Sequence, residues 1–252
     1  MTASILITGA SSGLGAALAE AYAEPDTLLF LGGRNADRLA EVAAACRKRG
    51  ADVHALTVDV TDRGATERWV LSAEEERPLT LVIANAGISG GTGNRLGETA
   101  EQTRSIFTAN VDGVFNTVLP VIPKMQARKK GQIALMSSLA SFRGMPGAPA
   151  YSASKAAVRV WGEAARGWLA RDGIGVTVIC PGFVETAMTA SNRFPMPFLM
   201  GAAQAAAIMK KGVDANKARV AFPWQTSAMS WLLAALPPSW TDGLLAKAPK
   251  KG

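Results

Sequence analysis

Thr8-Gly9-Ala10-Ser11-Ser12-Gly13-Leu14-Gly15 follows a short β-branched run at residues 4–8 (SILIT) and enters an alanine-rich stretch of helical spacing at residues 14–23. Glycines placed at a strand end and a helix start let the backbone approach a pyrophosphate, which N–H groups and the helix dipole then hold. The spacing is GxxxGxG rather than the GxGxxG of other dinucleotide folds. Taken alone, such a loop also reads as a tight turn with close helix packing. Its place inside a first strand–loop–helix unit favours the phosphate reading, with Gly9, Ser11, Ser12, Gly13, Leu14 and Gly15 as cofactor contacts.

The same alternation continues outward from this loop. Residues 27–31, 53–58 and 79–84 are extended and apolar, and residues 37–49 and 64–75 between them are helical. Apolar strands recur at 133–136 and 176–180, each after a helical segment, and 219–222 is a last one. Strands alternating with helices imply a parallel sheet covered on both faces. The expectation is an α/β fold: a Rossmann-like doubly wound parallel sheet of about seven strands with helices on both faces. A chain of 252 residues with 48% hydrophobic content can bury one sizeable core, so residues 1–252 read as a single domain. The character changes after residue 186. Residues 187–199 are rich in Met, Pro and Phe and read as the start of a substrate loop or lid spanning 187–212. Residues 226–236 are apolar and helical until Pro237-Pro238, within a C-terminal extension at 224–252 that ends in a basic tail.

Composition narrows the function. A net charge of +7 invites a polyanion partner, but the basic residues fall in small scattered groups without interleaved aromatics, so nucleic acid is not expected. Cys46 and Cys180 are far apart and form no CxxC or Cys/His cluster, so no metal is expected and a reduced, cytoplasmic setting fits. His54, the single histidine, lies in a strand and supports neither a Ser-His-Asp triad nor a metal site. The N-terminus lacks the pattern of a signal peptide, and no window reads as 18 or more predominantly apolar residues, so a spanning helix is not expected.

A fold that binds NAD offers an acid about 20 residues after the loop, at the end of strand two, for the ribose 2′-hydroxyl. Here that point reads Gly32-Gly33-Arg34-Asn35. The forked cation of Arg34 suits a phosphate, so NADP is expected ahead of NAD, with Ser11 and Asn35 as helpers.

Tyr151 and Lys155 are four apart, so on one helix they share a face. A phenol that titrates near about 10 needs a neighbouring cation, and the oxidised nicotinamide, to lower its pKa before it can work near neutrality. Ser138 follows the strand at 133–136, at the sheet edge where open parallel sheets bind ligands.

With TGASSGLG, Asp59-Val60, Ala84-Asn85-Ala86-Gly87, Asn110, Ser138, Tyr151-Ser152-Ala153-Ser154-Lys155 and Pro181-Gly182 in order, the chain resembles the short-chain dehydrogenase/reductase superfamily from residue 4 to about 186. The resemblance implies Asp59 and Val60 at adenine, and Asn85, Ala86 and Gly87 beside the cofactor. It also implies Pro181, Gly182, Val184 and Thr186 on the nicotinamide side, with Tyr151 and Lys155 contacting the cofactor too. It implies further that Tyr151 protonates a carbonyl oxygen, Ser138 polarises it, Lys155 bonds the nicotinamide ribose and Asn110 holds a relay water. The substrate is then a small-molecule carbonyl or secondary alcohol.

Met188, Phe194, Met196, Phe198 and Met200 suggest an apolar pocket wall and a hydrophobic ketone, with residues 93–97 and 142–148 completing the cleft. Arg143 and Arg193 are its charges. Trp161 and Trp168 share a helix face suited to core or subunit contact, and a homodimer or homotetramer is expected. The apolar C-terminal stretches with Lys247, Lys250 and Lys251 read either as a packed helix pair or as a peripheral membrane contact. A non-catalytic NADP sensor or scaffold of the same fold is the alternative function.

Overall fold

In the computed structural model, described over residues 3–92, 97–190, 192 and 194–246, the apolar strand runs of the sequence become one parallel sheet. Its elements are β1 (Ala3–Thr8), α1 (Gly13–Tyr22), β2 (Thr27–Gly33), α2 (Ala36–Lys48), β3 (Asp52–Thr57), α3 (Arg63–Glu76) and β4 (Leu81–Ala84). After these come α4 (Ala100–Phe107), a π turn (Thr108–Asp112), α5 (Gly113–Val118), α6 (Ile122–Arg128) and β5 (Gly131–Met136). The chain continues through α7 (Pro149–Leu169), β6 (Ile174–Pro181), α8 (Ala187–Ala190), α9 (Ala202–Asp214), β7 (Arg219–Phe222), α10 (Trp224–Ala235) and α11 (Pro238–Leu245). The strand order is β3-β2-β1-β4-β5-β6-β7, every pair parallel, which reverses direction between β1 and β4. In open α/β sheets the crevice at that reversal binds the ligand.

Successive side chains of a strand point to opposite faces, and the core divides accordingly. Ile5, Ile7, Leu29 and Leu31 pack with α1, α2 and α9, whereas Leu6, Leu28, Phe30, Val82 and Leu135 pack with α3, α5, α6 and α7. Both faces are covered, so the strands read as near-continuous apolar runs rather than alternating ones. Helix starts carry their own signals: the side chains of Asn35, Asp62 and Thr99 accept from the backbone N–H groups of Arg38, Ala65 and Gln102. Pro149 opens α7, where a missing N–H costs nothing.

Two local features come from the structure. α7 begins two residues before Tyr151, which places that side chain inside the first turn. The helical run Ala100–Arg128 is long and apolar enough to cross a membrane by length and composition, against the expectation of no such window. Half of its apolar window is buried, and Ile106, Val114, Val118, Ile122 and Met125 are inside the protein. His54 lies on the exposed side of β3, with its ring edge against Phe30 and Nδ1 3.2 Å from Glu76. Trp161 packs on the core with its ring against Phe115, while Trp168 stays half-exposed. Cys46 and Cys180 are separate buried thiols, both pushed up to about 11 by burial.

Candidate active site

The ends of β1 to β6 that point the same way surround a cleft of about 960 Å³. At its floor the glycine loop is set by sterics. Gly9 has φ +66°, and a Cβ there would lie 2.8 Å from the Ala86 Cα. A Cβ on Gly15 would lie 2.2 Å from the Gly9 carbonyl oxygen, so α1 closes on the loop only with glycine at that position. Ser12 caps α1 without a side-chain bond to the helix, and the first turn holds no acid. The N–H groups and positive helix end are thereby left for an outside anion, which fits the pyrophosphate of a dinucleotide. Asn85 ties this loop to β4, its amide donating to the Thr8 carbonyl at 2.9 Å, while the Thr8 hydroxyl accepts from the N–H groups of Asn85 and Ala86.

Ser138, Tyr151, Lys155 and Asn110 come together from β5, α7 and the π turn. The Ser138 hydroxyl hydrogen-bonds the Tyr151 phenol and accepts from the Ala140 N–H at 3.1 Å. Burial raises the Tyr151 pKa above that of an ordinary phenol, and the Ser138 bond pulls part of the way back. Lys155 donates to the Met136 carbonyl at 2.9 Å, and its ammonium lies 5.9 Å from the centre of the Tyr151 ring. Burial lowers its pKa to about 8. Ser137 holds the helix backbone beneath it by donating to the Lys155 carbonyl at 2.8 Å.

Asn110 is fully buried in the π turn, a device that displaces helix backbone at functional sites. Its carboxamide accepts from the Ile88 N–H at 2.8 Å and donates to the Ile88 carbonyl at 2.9 Å and to Ser154 Oγ at 3.0 Å. Both of its donors are therefore spent on protein, and the side chain acts as a strut between the β4 loop and α7. A Cβ on Gly87 would sit 2.9 Å from Asn110 Oδ1 and 3.3 Å from Lys155 Nζ, so this glycine lets the cluster close.

At the far end of the cleft Arg34 lies 4.0 Å from Asp59, with its side chain 68% exposed. Burial works against ionisation of Asp59, but the Thr61 backbone and hydroxyl bonds and the Arg34 charge outweigh it and lower the carboxyl pKa. Val60, beside it, is buried against Gly113. On the opposite wall Pro181, Gly182, Val184 and Thr186 line the cleft, and a Cβ on Gly13 would touch the Thr186 methyl at 3.2 Å.

Residues 3–196 match the short chain dehydrogenase family. The chain belongs to that family. It is 41% identical over 233 residues to an uncharacterized oxidoreductase of Myxococcus xanthus, covering 92% of each chain. It is also 31% identical to the ketoacyl reductase HetN of Nostoc, covering 84% of this chain and 75% of that one. A short-chain dehydrogenase of Sphingobium yanoikuyae solved in complex with NADPH superposes with TM-score 0.81 at 27% identity, covering 99% and 98% of the two chains. At 22% identity and TM-score 0.80, a Mycobacterium paratuberculosis short chain dehydrogenase bound to NAD shares the fold, covering 90% of this chain and 98% of that one. This short chain dehydrogenase is thus an oxidoreductase acting on CH–OH or C=O groups.

Within this short chain dehydrogenase several sequence expectations take a different form. Asn35 lines the cleft, but its carboxamide oxygen already caps α2 by accepting from Arg38 N–H at 2.9 Å. Arg38 itself lines the same end of the cleft and escaped sequence reasoning, although its spacing of four from Arg34 at a helix start was a usable signal. Met188 and Phe194 line the cleft; Met196, Phe198 and Met200 do not. Phe198 has φ +57° and turns outward, 53% exposed, while Met200 packs on the α1/α9 side of the core. Arg143 reaches the cleft with its charge held by Asp242 at 2.7 Å. Residues 93–96, Arg193 and the tail lysines Lys247, Lys250 and Lys251 lie outside the described residues. Thr226, Met229, Ser230 and Leu233 of α10 also line the cleft, which no local signal announced because a helix 70 residues beyond Lys155 reaches the site only through the fold.

Proposed function

We propose that this protein reduces hydrophobic ketones with NADPH, and runs the reverse oxidation of secondary alcohols with NADP. The observation that carries the reading is the cluster of Ser138, Tyr151 and Lys155 at the inner end of a cleft whose remaining wall is mostly apolar. The bound cofactor supplies the hydride. Tyr151 keeps its proton at neutral pH because burial raises its pKa, so it is loaded as the acid for a carbonyl oxygen. Ser138, beside the phenol, turns its single proton from the phenol oxygen to that carbonyl oxygen and orients it as a second donor. Lys155 stabilises the phenolate that remains after proton transfer and favours its recharging from solvent. Arg34, Arg38 and Ser11 supply two cations and a hydroxyl at the adenosine end, where an acid would be needed to select NAD.

The substrate reading follows from the lining. Met188, Phe194, Pro195, Met229 and Leu233 give apolar walls, and Arg143 is neutralised by Asp242. A ketone on an apolar or aromatic skeleton fits such walls better than a carboxylate. Self-association belongs to the α7 face, where Val160 and Trp168 are exposed.

NADPH consumption across aromatic diketones, steroid-like ketones and long-chain ketones, with NADH in parallel, tests the reading. Turnover on the apolar carbonyls with NADPH ahead of NADH is expected. Tight NADPH binding with no turnover on any of them would make the protein a cofactor sensor instead, and preference for NADH would overturn the role of Arg34.

A further inference from the structure

α10 and α11 carry a single ionisable side chain between them, Asp242, and it is paired with Arg143. Helices of water-soluble proteins turn an apolar stripe inward; these two turn one outward. Trp224, Ala228, Trp231 and Ala235 recur at helical spacing on α10 and are all exposed, as are Trp240 and Leu244 on α11. Trp224 and Trp240 are each 74% exposed, Leu244 65% and Trp231 62%. Exposed apolar side chains in such a group mark a contact surface.

Two observations say what covers it. The first is position: Met229, Ser230 and Leu233 of the same helix α10 line the cleft, and the segment that supplies Phe194 and Pro197 to the cleft ends in exposed Phe198 and Leu199. The apolar surface thus borders the cleft mouth. The second is charge: the last 38 residues hold five cations and one anion, and three of those cations fall within the six residues after Ala246. Six residues span at most roughly 20 Å, so these lysines stay near the end of α11 whatever their conformation. A second copy of this chain on the same face would bring two cationic tails together. An anionic lipid surface meets both features, since tryptophan favours the membrane–water interface and lysine the acidic headgroups.

We propose that the exposed face of α10 and α11 docks this protein on anionic lipid bilayers, with the cleft mouth beside the membrane. The corollary, that an apolar substrate enters from the bilayer, rests on the proposed function; the docking does not.

The test is flotation of the full chain with vesicles of phosphatidylglycerol and phosphatidylcholine in equal parts, against phosphatidylcholine alone. The protein should float with the anionic vesicles, release as salt is raised, and show a blue shift of tryptophan emission. The triple variant W224S/W231S/W240S should lose flotation at least tenfold while keeping turnover of a water-soluble ketone and its circular dichroism. The variant K247Q/K250Q/K251Q should lose about 10²-fold on anionic vesicles only. Absence of wild-type flotation, or flotation unchanged in the folded tryptophan variant, would overturn the proposal. A wild-type dimer that the tryptophan variant dissociates, without lipid binding by either, would assign the face to a second copy and overturn it too. Flotation without turnover on any ketone would leave the docking standing and sink the proposed function; turnover without flotation does the reverse.

Discussion

The Lys155 ammonium lies 5.9 Å from the centre of the Tyr151 ring and is fastened elsewhere, to the Met136 carbonyl at 2.9 Å. The hydrogen bond that the phenol does receive comes from Ser138. Lys155 is thus held in place by β5, and the pKa of Tyr151 is set by burial and by Ser138.

Tyr151→Phe removes the proton donor and leaves the ring in its packing. Turnover should fall by about 10²–10⁴, the range of positioned acid catalysis, with NADPH binding retained in a fluorescence titration. A variant retaining most of its turnover would refute the acid role.

Lys155→Met should abolish useful turnover and yet stabilise the fold at neutral pH. Burial has lowered the Lys155 pKa from 10.5 to about 8, so above pH 8 the unfolded chain binds more protons than the folded one. Stability therefore rises with pH between about 8 and 10.5, and the whole penalty, up to about 3 kcal/mol, applies below that window. Thermal melts should show the methionine variant ahead by several degrees at pH 7, with the gap closing toward pH 10.5. A variant that melts lower at pH 7 would show that the Met136 bond outweighs the desolvation.

Gly87→Ala places a methyl 2.9 Å from Asn110 Oδ1 and 3.3 Å from Lys155 Nζ. Either the strut or the ammonium must move, and a displacement of this kind lowers kcat by about 10–10². Steady-state kinetics should show kcat falling more than the KM for NADPH rises. A KM effect alone would mean that the contact is absorbed by the cofactor site.

On the proposed NADP reading, Arg34→Asp exchanges a phosphate partner for a ribose partner, and it puts a second carboxylate beside Asp59, where the natural chain has a cation. The ratio of kcat/KM for NADPH over NADH should drop by about 10²-fold or more. Parallel assays with both cofactors decide it, and an unchanged ratio would shift the selectivity to Arg38.

Much of this site was legible in order along the chain because its chemistry sits at element ends. The glycine loop, Ser138 and the Tyr151/Lys155 pair each lie where a strand stops or a helix starts, and such ends carry their own residue signals. The strand alternation was equally plain, since a parallel sheet buried on both faces needs unbroken apolar runs. Asn110 was visible as a residue while its work was not: three hydrogen bonds to Ile88 and Ser154 join segments 22 and 44 residues away. Met196, Phe198 and Met200 looked like pocket wall by composition alone, but composition does not say which way a loop residue faces, and Phe198 lies exposed while Met200 packs on the core.

By itself, then, the amino-acid sequence determined the parallel α/β architecture, the glycine loop between β1 and α1 and the candidate side chains that the fold brings together, because each rests on local pattern and spacing. Tertiary structure alone decided that α10 closes the cleft, that Asp242 neutralises Arg143 and that Lys155 is held by Met136 with its proton weakened by burial. Those facts depend on which segments meet and how much water they exclude, and neither quantity is written in the spacing of residues along a chain.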